Sequence, residues 1–306
     1  MTTTSPDHAA DDLAARFEVH RPHLRGTAYR MLGSLSEADD VVQDTWLRAS
    51  RADTASIDNL GAWLTTVVAR LCLDRLRART SRREDPLDVV VPDPVVSSAG
   101  ALDPEEEALL AESVGLALLI VLDALSPAER LAFVLHDTLG LPFEQIAPIV
   151  QRNVEATRQL ASRARRRVRG ARPAAEVPLR RQWELVDAFL AAARDGDLEG
   201  LVRVLDPDVV VRADVGPRPS PLGPSRVYRG VDAVARQALS FRNLAPGARR
   251  VLVNGSAGLL VVSGGRPFAI LGMAFGPGTI TEIDILLDPE RLARLALPVG
   301  DDSGGP

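Results

Sequence analysis

The strongest constraint on this chain is a change of period near residue 171. Before it, apolar residues recur at helical spacing between sharp stop signals; after it, short alternating runs are separated by Gly, Pro and Asn. A 306-residue chain with such a switch is read as two or three domains. The spacing predicts helices over residues 13–32, closed by Gly33, over 38–49, opened by Ser36 and an acidic first turn, and over 62–79. Residues 84–104, with PLDVVVPDPVV, read as a proline-rich acidic linker. Helices resume at 104–125 and at 127–139, where Ser126-Pro127-Ala128-Glu129 combines an N-cap, a proline at the first helical position and a glutamate at the third. Beyond 171, helices are expected at 180–195, 198–205 and 231–241. VVVRAD, RRVLVNG, AGLLVVSG, PFAILGMAF and TITEIDILL are expected as a run of adjacent antiparallel strands. The fold class is multidomain: two all-α domains followed by an α+β cone.

Between Gly140 and Gly170 lies LPFEQIAPIV, a polar gap QRN, and VEATRQLASRARRRVRG. A short helix, a tight turn and a longer basic helix make a helix-turn-helix, whose second helix enters the major groove of DNA. The charge pattern points the same way. The chain has a net charge of −5 and no lysine, yet residues 158–170 hold six arginines and Arg75, Arg77 and Arg79 fall in a second basic block. Between them, residues 84–129 carry 11 carboxylates and no arginine. Arginine blocks on helices suit phosphate backbones; two solvated helix faces would give the same pattern.

On the helix over 38–49, Ala38, Val41, Val42, Thr45 and Ala49 share one face, and Asp40, Gln43, Asp44 and Leu47 the other. An apolar Leu47 among polar neighbours marks that second face as a partner surface. On the next helix, Trp63, Leu64, Val67, Val68, Leu71 and Leu76 form the core side, and Cys72 reads as packing. One cysteine excludes an internal disulfide framework and fits a reducing, cytoplasmic setting. His8, His20, His23 and His136 are dispersed, so no metal site is expected and no cofactor is implied. The acidic start has no apolar core of a signal peptide, and no run reaches the length of a membrane span.

SEADDVVQDTWLRA followed by NLGAWLTTVVARLCLDRLR resembles region 2 of the extracytoplasmic-function sigma factors. LSPAERLAFVLHDTLGLPFEQIA with VEATRQLASRARRRVR is similar to their region 4. The C-terminal part resembles the SnoaL-like domain that one subgroup carries, with ARDGDLEGLVRVLDPDV at its opening helices. The resemblance implies region 2 at 12–83, the linker at 84–104, region 4 at 105–170 and a SnoaL-like regulatory domain at 178–296. It implies an alternative sigma factor regulated in cis by that domain, with core RNA polymerase (its beta-prime clamp) and promoter DNA as partners, and a small ligand possible in the C-terminal domain. Asp40, Gln43, Asp44 and Leu47 take the polymerase-docking positions. Arg75, Arg77 and Arg79 lie on the helix serving the −10 element. The helix of Glu155, Arg158, Gln159, Arg163, Arg165, Arg166 and Arg167 serves the −35 element. The first three of these stand nearest base edges and the later arginines nearest phosphates. LLDPERL, with Asp288, Pro289, Glu290, Arg291 and Leu292, stands where the subgroup has its closing regulatory motif, and a latch offering Leu292 and Leu295 is expected there.

The chain departs from the subgroup in its linker, where VVVPDP replaces a tryptophan-containing motif, and at ADVGPRP (213–219), where a glycine-rich stretch is usual. Two other readings are carried forward. One is a DNA-binding protein fused to a ligand-sensing or enzymatic SnoaL-like domain. There Asp214, Glu282 and Asp284 are the carboxylates placed on strands, the latter two on one face. Residues 171–306 hold no histidine or cysteine, so no catalytic residue is assigned. The other is a plain duplex-binding regulator, which has no use for the DDVVQDTWL helix.

Overall fold

The computed structural model describes residues 6–53, 57–82, 89–99, 115–171 and 177–298. They fall into two units: residues 1–84 with 121–171, and 85–120 with 172–306.

Unit 1 is helical. α1 (Pro6–Leu32) ends at Gly33 with φ 68°, and Ser34 then caps α2 (Leu35–Ala49), its hydroxyl accepting from the Glu37 N–H. The cap is therefore Ser34 and not Ser36. Both residues suit the position, but the left-handed Gly33 leaves Ser34 extended, with its oxygen in reach of the first turn. Ala38, Val41, Val42, Thr45 and Ala49 are buried, as the 100° rotation per residue requires. Asn59 caps α3 (Leu60–Arg82) by accepting from Ala62 N–H at 3.0 Å. Gly61 lets α1 come close, since a Cβ there would sit 2.8 Å from the ring of His20. Of the 104–125 helix, residues 104–114 lie outside the described ones; α4 (Leu116–Asp123) is its observed part, and only residues from 121 onward belong to unit 1. The reciprocal cap between Ser126 and Glu129 starts α5 (Pro127–Phe133), which widens into a π-helical turn over Val134–Thr138. Arg130 on α5 is 1% exposed. It donates through Nε and Nη2 to the Arg30 carbonyl on α1 (3.2 and 3.1 Å) and through Nη1 to Asp123 (3.0 Å). α6 (Phe143–Val150) and α7 (Val154–Ala171) complete the unit.

Unit 2 packs α8 (Leu179–Asp195), α9 (Leu198–Val204) and α10 (Val231–Ser240) on a seven-stranded sheet. The strands are β1 (Val96–Ser98), β2 (Leu205–Asp214), β3 (Arg226–Arg229), β4 (Ala248–Val253), β5 (Ser256–Ser263), β6 (Arg266–Phe275) and β7 (Ile280–Leu286), in the order β1-β4-β5-β6-β7-β2-β3. α11 (Pro289–Arg294) follows the last strand. Leu185 and Phe189 of α8, Leu201 of α9 and Leu259, Met273 and Ile283 of the sheet meet in one core. The α+β expectation holds, with two corrections. The pairing is not wholly antiparallel, because β7 returns beside β2 and runs parallel to it. The second correction is the linker. Residues 91–97 are buried, and β1 pairs antiparallel with β4, Val96 opposite Val253. The open edge of β4 supplies the ladder, Val91, Val95 and Val96 supply apolar side chains, and Pro92 and Pro94 precede the paired residues, where no ladder hydrogen bond is required of them. The Asn254-Gly255 turn, φ 49° and 79°, aids this capture: Asn254 accepts from Val95 N–H (3.1 Å) and donates its own N–H to Val95 O (2.8 Å).

Candidate nucleic-acid interface and linker clamp

In the helix-turn-helix, Gln151 closes α6 in the left-handed conformation (φ 58°, ψ 47°), where the turn has no glycine. Asn153 caps α7, accepting from Ala156 N–H at 2.7 Å. Thr157, Leu160, Ala161, Ala164 and Val168 are buried, which leaves Glu155, Arg158, Gln159, Arg163, Arg166 and Arg167 exposed along one helix and Arg165 half-buried. The start of α7 is braced by stacking: the His136 and Phe143 rings lie 3.8 Å apart, and the Arg158 guanidinium stands 5.8 Å from the Phe143 centroid. The arginines rest on carboxylates of neighbouring elements. Arg163 and Arg167 each reach Glu129 at 3.0 Å, Arg165 meets Asp137, and Arg158 lies 3.4 Å from Glu144. Burial opposes ionisation of Glu129, but the Ser126 hydroxyl and N–H together with Arg163 and Arg167 outweigh it, so its carboxyl is held below the usual value. In the Glu129 pairs only the arginine end is exposed; the carboxylate is buried and is also held by the Ser126 hydroxyl and N–H.

On α2 the sequence-derived face is outward: Asp40, Gln43 and Leu47 are exposed and Asp44 half-buried. Arg75 and Arg79, expected toward DNA, turn onto α2 instead. Arg75 lies 3.0 Å from Asp44 and 3.7 Å from Asp40 and donates to Glu37 O; Arg79 pairs with Glu37 and donates to Leu32 O. They bind α3 to α2, while Arg77 is exposed. Burial pushes the Cys72 thiol up to about 12, which leaves it an inert packing group.

The linker, ADVGPRP and LLDPERL converge in unit 2. Arg291 on α11 donates to Asp93 (2.7 Å), Asp214 (2.8 Å) and the Val91 carbonyl (2.6 Å). Asp214 also accepts from the N–H groups of Val91 and Gly216, both at 2.9 Å. Gly216 (φ 80°) must be glycine, because a Cβ would lie 2.4 Å from Asp288, whose other carboxylate oxygen caps α11 through Glu290 and Arg291. Pro289 starts the helix, Glu290 pairs with Arg218, and Leu292 is buried while Leu295 is only half-buried. The contacts between α11 and the linker are therefore made by Arg291 and not by the expected leucine pair. Sequence reasoning missed Asp93 as the partner of Arg291 and Asn254 as the partner of Val95; their signal was one acid and one amide beside runs of valine.

Asp214, Glu282 and Asp284 do not face the hollow of the cone. The alternation of β2 and β7 aims Val211, Ala213, Ile283 and Ile285 into it and sends the three carboxylates to the other side. There Arg212 joins Glu282 (2.7 Å) and Asp284 (3.0 Å). Burial lifts Asp284 to about 7 despite Arg212. Among the described residues no cluster of His, Cys, Asp or Glu could hold a metal ion, and no helix is long and apolar enough to cross a membrane.

The helical arrangement of unit 1 is that of a sigma factor: residues 16–82 match the Sigma-70 region 2 family and 116–168 match Sigma-70, region 4. The chain belongs to the extracytoplasmic-function (ECF) RNA polymerase sigma factors, which direct transcription initiation and are not enzymes. It is 38% identical over 307 residues to the ECF RNA polymerase sigma factor SigJ of Mycobacterium tuberculosis (strain ATCC 25618 / H37Rv), covering 94% of this chain and 97% of the relative. It is 34% identical over 290 residues to the probable ECF RNA polymerase sigma factor SigI of Mycobacterium tuberculosis (strain CDC 1551 / Oshkosh), covering 95% and 98%. The crystal structure of Mycobacterium tuberculosis SigJ superposes with a TM-score of 0.74 at 33% identity, covering 94% of this chain and all of that one.

Proposed function

We propose that this sigma factor is regulated in cis: the C-terminal domain controls promoter engagement by holding the linker between regions 2 and 4. The observation that carries this reading is the capture of the linker as a strand of the domain's own sheet, gripped by Arg291. Positions −35 and −10 lie about 25 steps apart, or about 85 Å of duplex at about 3.4 Å per step. Arg130 ties α5 to the Arg30 carbonyl of α1, so regions 2 and 4 must part before α7 and α3 can serve both elements. The linker is the segment that must then be free to change its path. In this reading Asp40, Gln43, Asp44 and Leu47 meet the polymerase. Arg77 serves DNA at the −10 element, Glu155, Arg158 and Gln159 read bases, and Arg163, Arg165, Arg166 and Arg167 hold phosphates. Asp288, Pro289, Glu290, Arg291 and Leu292 form the regulatory latch. The test is reconstituted transcription with core polymerase at equal saturation, comparing the full chain, Arg291→Ala and a chain ending before Asp288. A change of output in both altered chains is expected. Equal output from all three sinks regulation through the linker.

A further inference from the structure

The concave side of the sheet in unit 2 is not filled. Between it and α8, α10 and the turn at Arg242–Gly247 lies a cavity of about 140 Å³, walled by groups such as Phe189, Val211, Val234, Leu259 and Ile283. Protein interiors pack to crystal density, so an apolar hollow of this size forfeits contacts along its whole lining. A dry cavity of about 150 Å³ is known to accept a benzene ring.

The polar inventory narrows the ligand. No carboxylate lines the cavity; the long polar side chains that do are Arg226 and Tyr228 on β3 and Gln237 on α10. Arg226 pairs in register with Ala213 and Tyr228 with Val211, so all four look into the hollow. Arg226 is exposed at the rim, and among the described residues it has no ion-pair partner. An apolar floor of ring size with one unpaired cation at its mouth calls for a monoanion with a compact apolar body. The volume excludes a nucleotide or a long acyl chain, and the lining excludes a free inorganic anion. We propose that this cavity binds a single-ring carboxylate, its ring among the apolar walls and its carboxylate on the planar fork of Arg226.

This goes beyond control through the linker, because binding is read directly and does not depend on the outcome of the transcription test. The experiment is calorimetric titration of the full chain with benzoate, with benzyl alcohol (the ring without the charge) and with acetate (the charge without the ring). Benzoate is expected to bind about tenfold tighter than benzyl alcohol, as a charge-assisted hydrogen bond implies, and acetate to give no saturable heat. Arg226→Met should bring benzoate to the level of benzyl alcohol and leave the latter unchanged. Ala238→Phe, which fills the hollow from α10, should abolish both, with thermal melting of each variant to confirm folding. No binding of either ring compound at about 10 mM, the weak end of measurable affinity, overturns the site. So does benzoate binding that neither substitution alters, and equal affinity for the acid and the alcohol overturns the assigned ligand class.

Discussion

Two regions of this molecule set arginine against carboxylate, and they do so to opposite ends. On α7 the guanidiniums are the wet partners: Arg163 and Arg167 are 46% and 56% exposed while Glu129 below them is 7% exposed. On the sheet of unit 2 the arginine is itself drawn in: Arg212 is 21% exposed against an Asp284 at 2%. The first arrangement can be loosened from its arginine side, since each guanidinium keeps donors in water and Glu129 keeps the Ser126 hydroxyl and N–H. The second cannot, since removing one partner leaves a charge stranded out of water. The difference separates a surface whose arginines stay accessible from a network that holds a sheet together. It also places Arg291 with the second group, paired to Asp93 and Asp214 at 9% and 4% exposure.

The hardest break of this contrast is Arg212→Leu. It leaves Glu282 and Asp284 without their cation and should destabilise unit 2 by about 3–5 kcal/mol, read as faster hydrogen exchange along β2 and β7. The pH dependence has a definite sign. Asp284 has a folded pKa of about 7, above its ordinary 3.8, so its contribution is fully present below the ordinary value and lost as pH rises through about 7. Unit 2 should therefore gain stability as pH falls from 8 toward 5. Asp284→Asn should flatten that slope, and an unchanged slope would show that Asp284 is ionised throughout.

A smaller effect is expected on the exposed side, at the level of promoter choice. Arg158→Ala or Gln159→Ala should cost about 1–3 kcal/mol of discrimination at one base position, whereas Arg166→Ala should weaken binding evenly and lower the salt slope by about one. Competition binding of the polymerase holoenzyme to promoter variants at several salt concentrations separates the two. A shift in sequence preference from Arg166→Ala alone would mean that α7 presents a different face. Glu129→Gln probes the carboxylate beneath the arginines. Glutamine still serves the cap at Ser126, but it no longer competes with phosphate for Arg163 and Arg167, so DNA affinity should rise by about 1 kcal/mol or less. Unaltered affinity would show that these pairs persist on DNA.

Long periodic runs made most of the architecture legible before the structure. The buried face of α2, the Ser126 cap and the strands β4 to β7 follow from spacing and turn residues, because each is decided by its own neighbours in the chain. β1 and β3 were not legible. Three residues of β1 become a strand only because the edge of β4, some 150 positions away, is open to them, and no local propensity records that. The shared face of Glu282 and Asp284 was readable from alternation, but not which face of the sheet is hollow, since that depends on where α8 and α10 pack. Arg75 and Arg79 illustrate the same limit on a helix. A basic block has the same composition whether it meets phosphate or, as here, the carboxylates and carbonyls of α2.

The smallest expected effect lies at the turn between α6 and α7, where neither kind of charge network operates. Gln151 holds a left-handed conformation that an L-residue with a Cβ adopts at a cost of about 1–2 kcal/mol, while glycine adopts it freely. Glycine also loosens the unfolded chain, which offsets about 0.4–1 kcal/mol of that gain. Gln151→Gly should therefore stabilise unit 1 by about 0.5 kcal/mol, a rise in Tm of about 1–2 °C for a unit of this size. The Gln151 N–H bond to Ala147 O needs no side chain, and Asn153 still caps α7, so the entry angle of the basic helix is unaltered. Promoter affinity should then stay unchanged while stability rises. A fall in Tm would mean that the Gln151 side chain contributes a contact worth more than the strain it imposes. A change in affinity at constant stability would assign Gln151 to the DNA-facing surface along with Arg158 and Gln159.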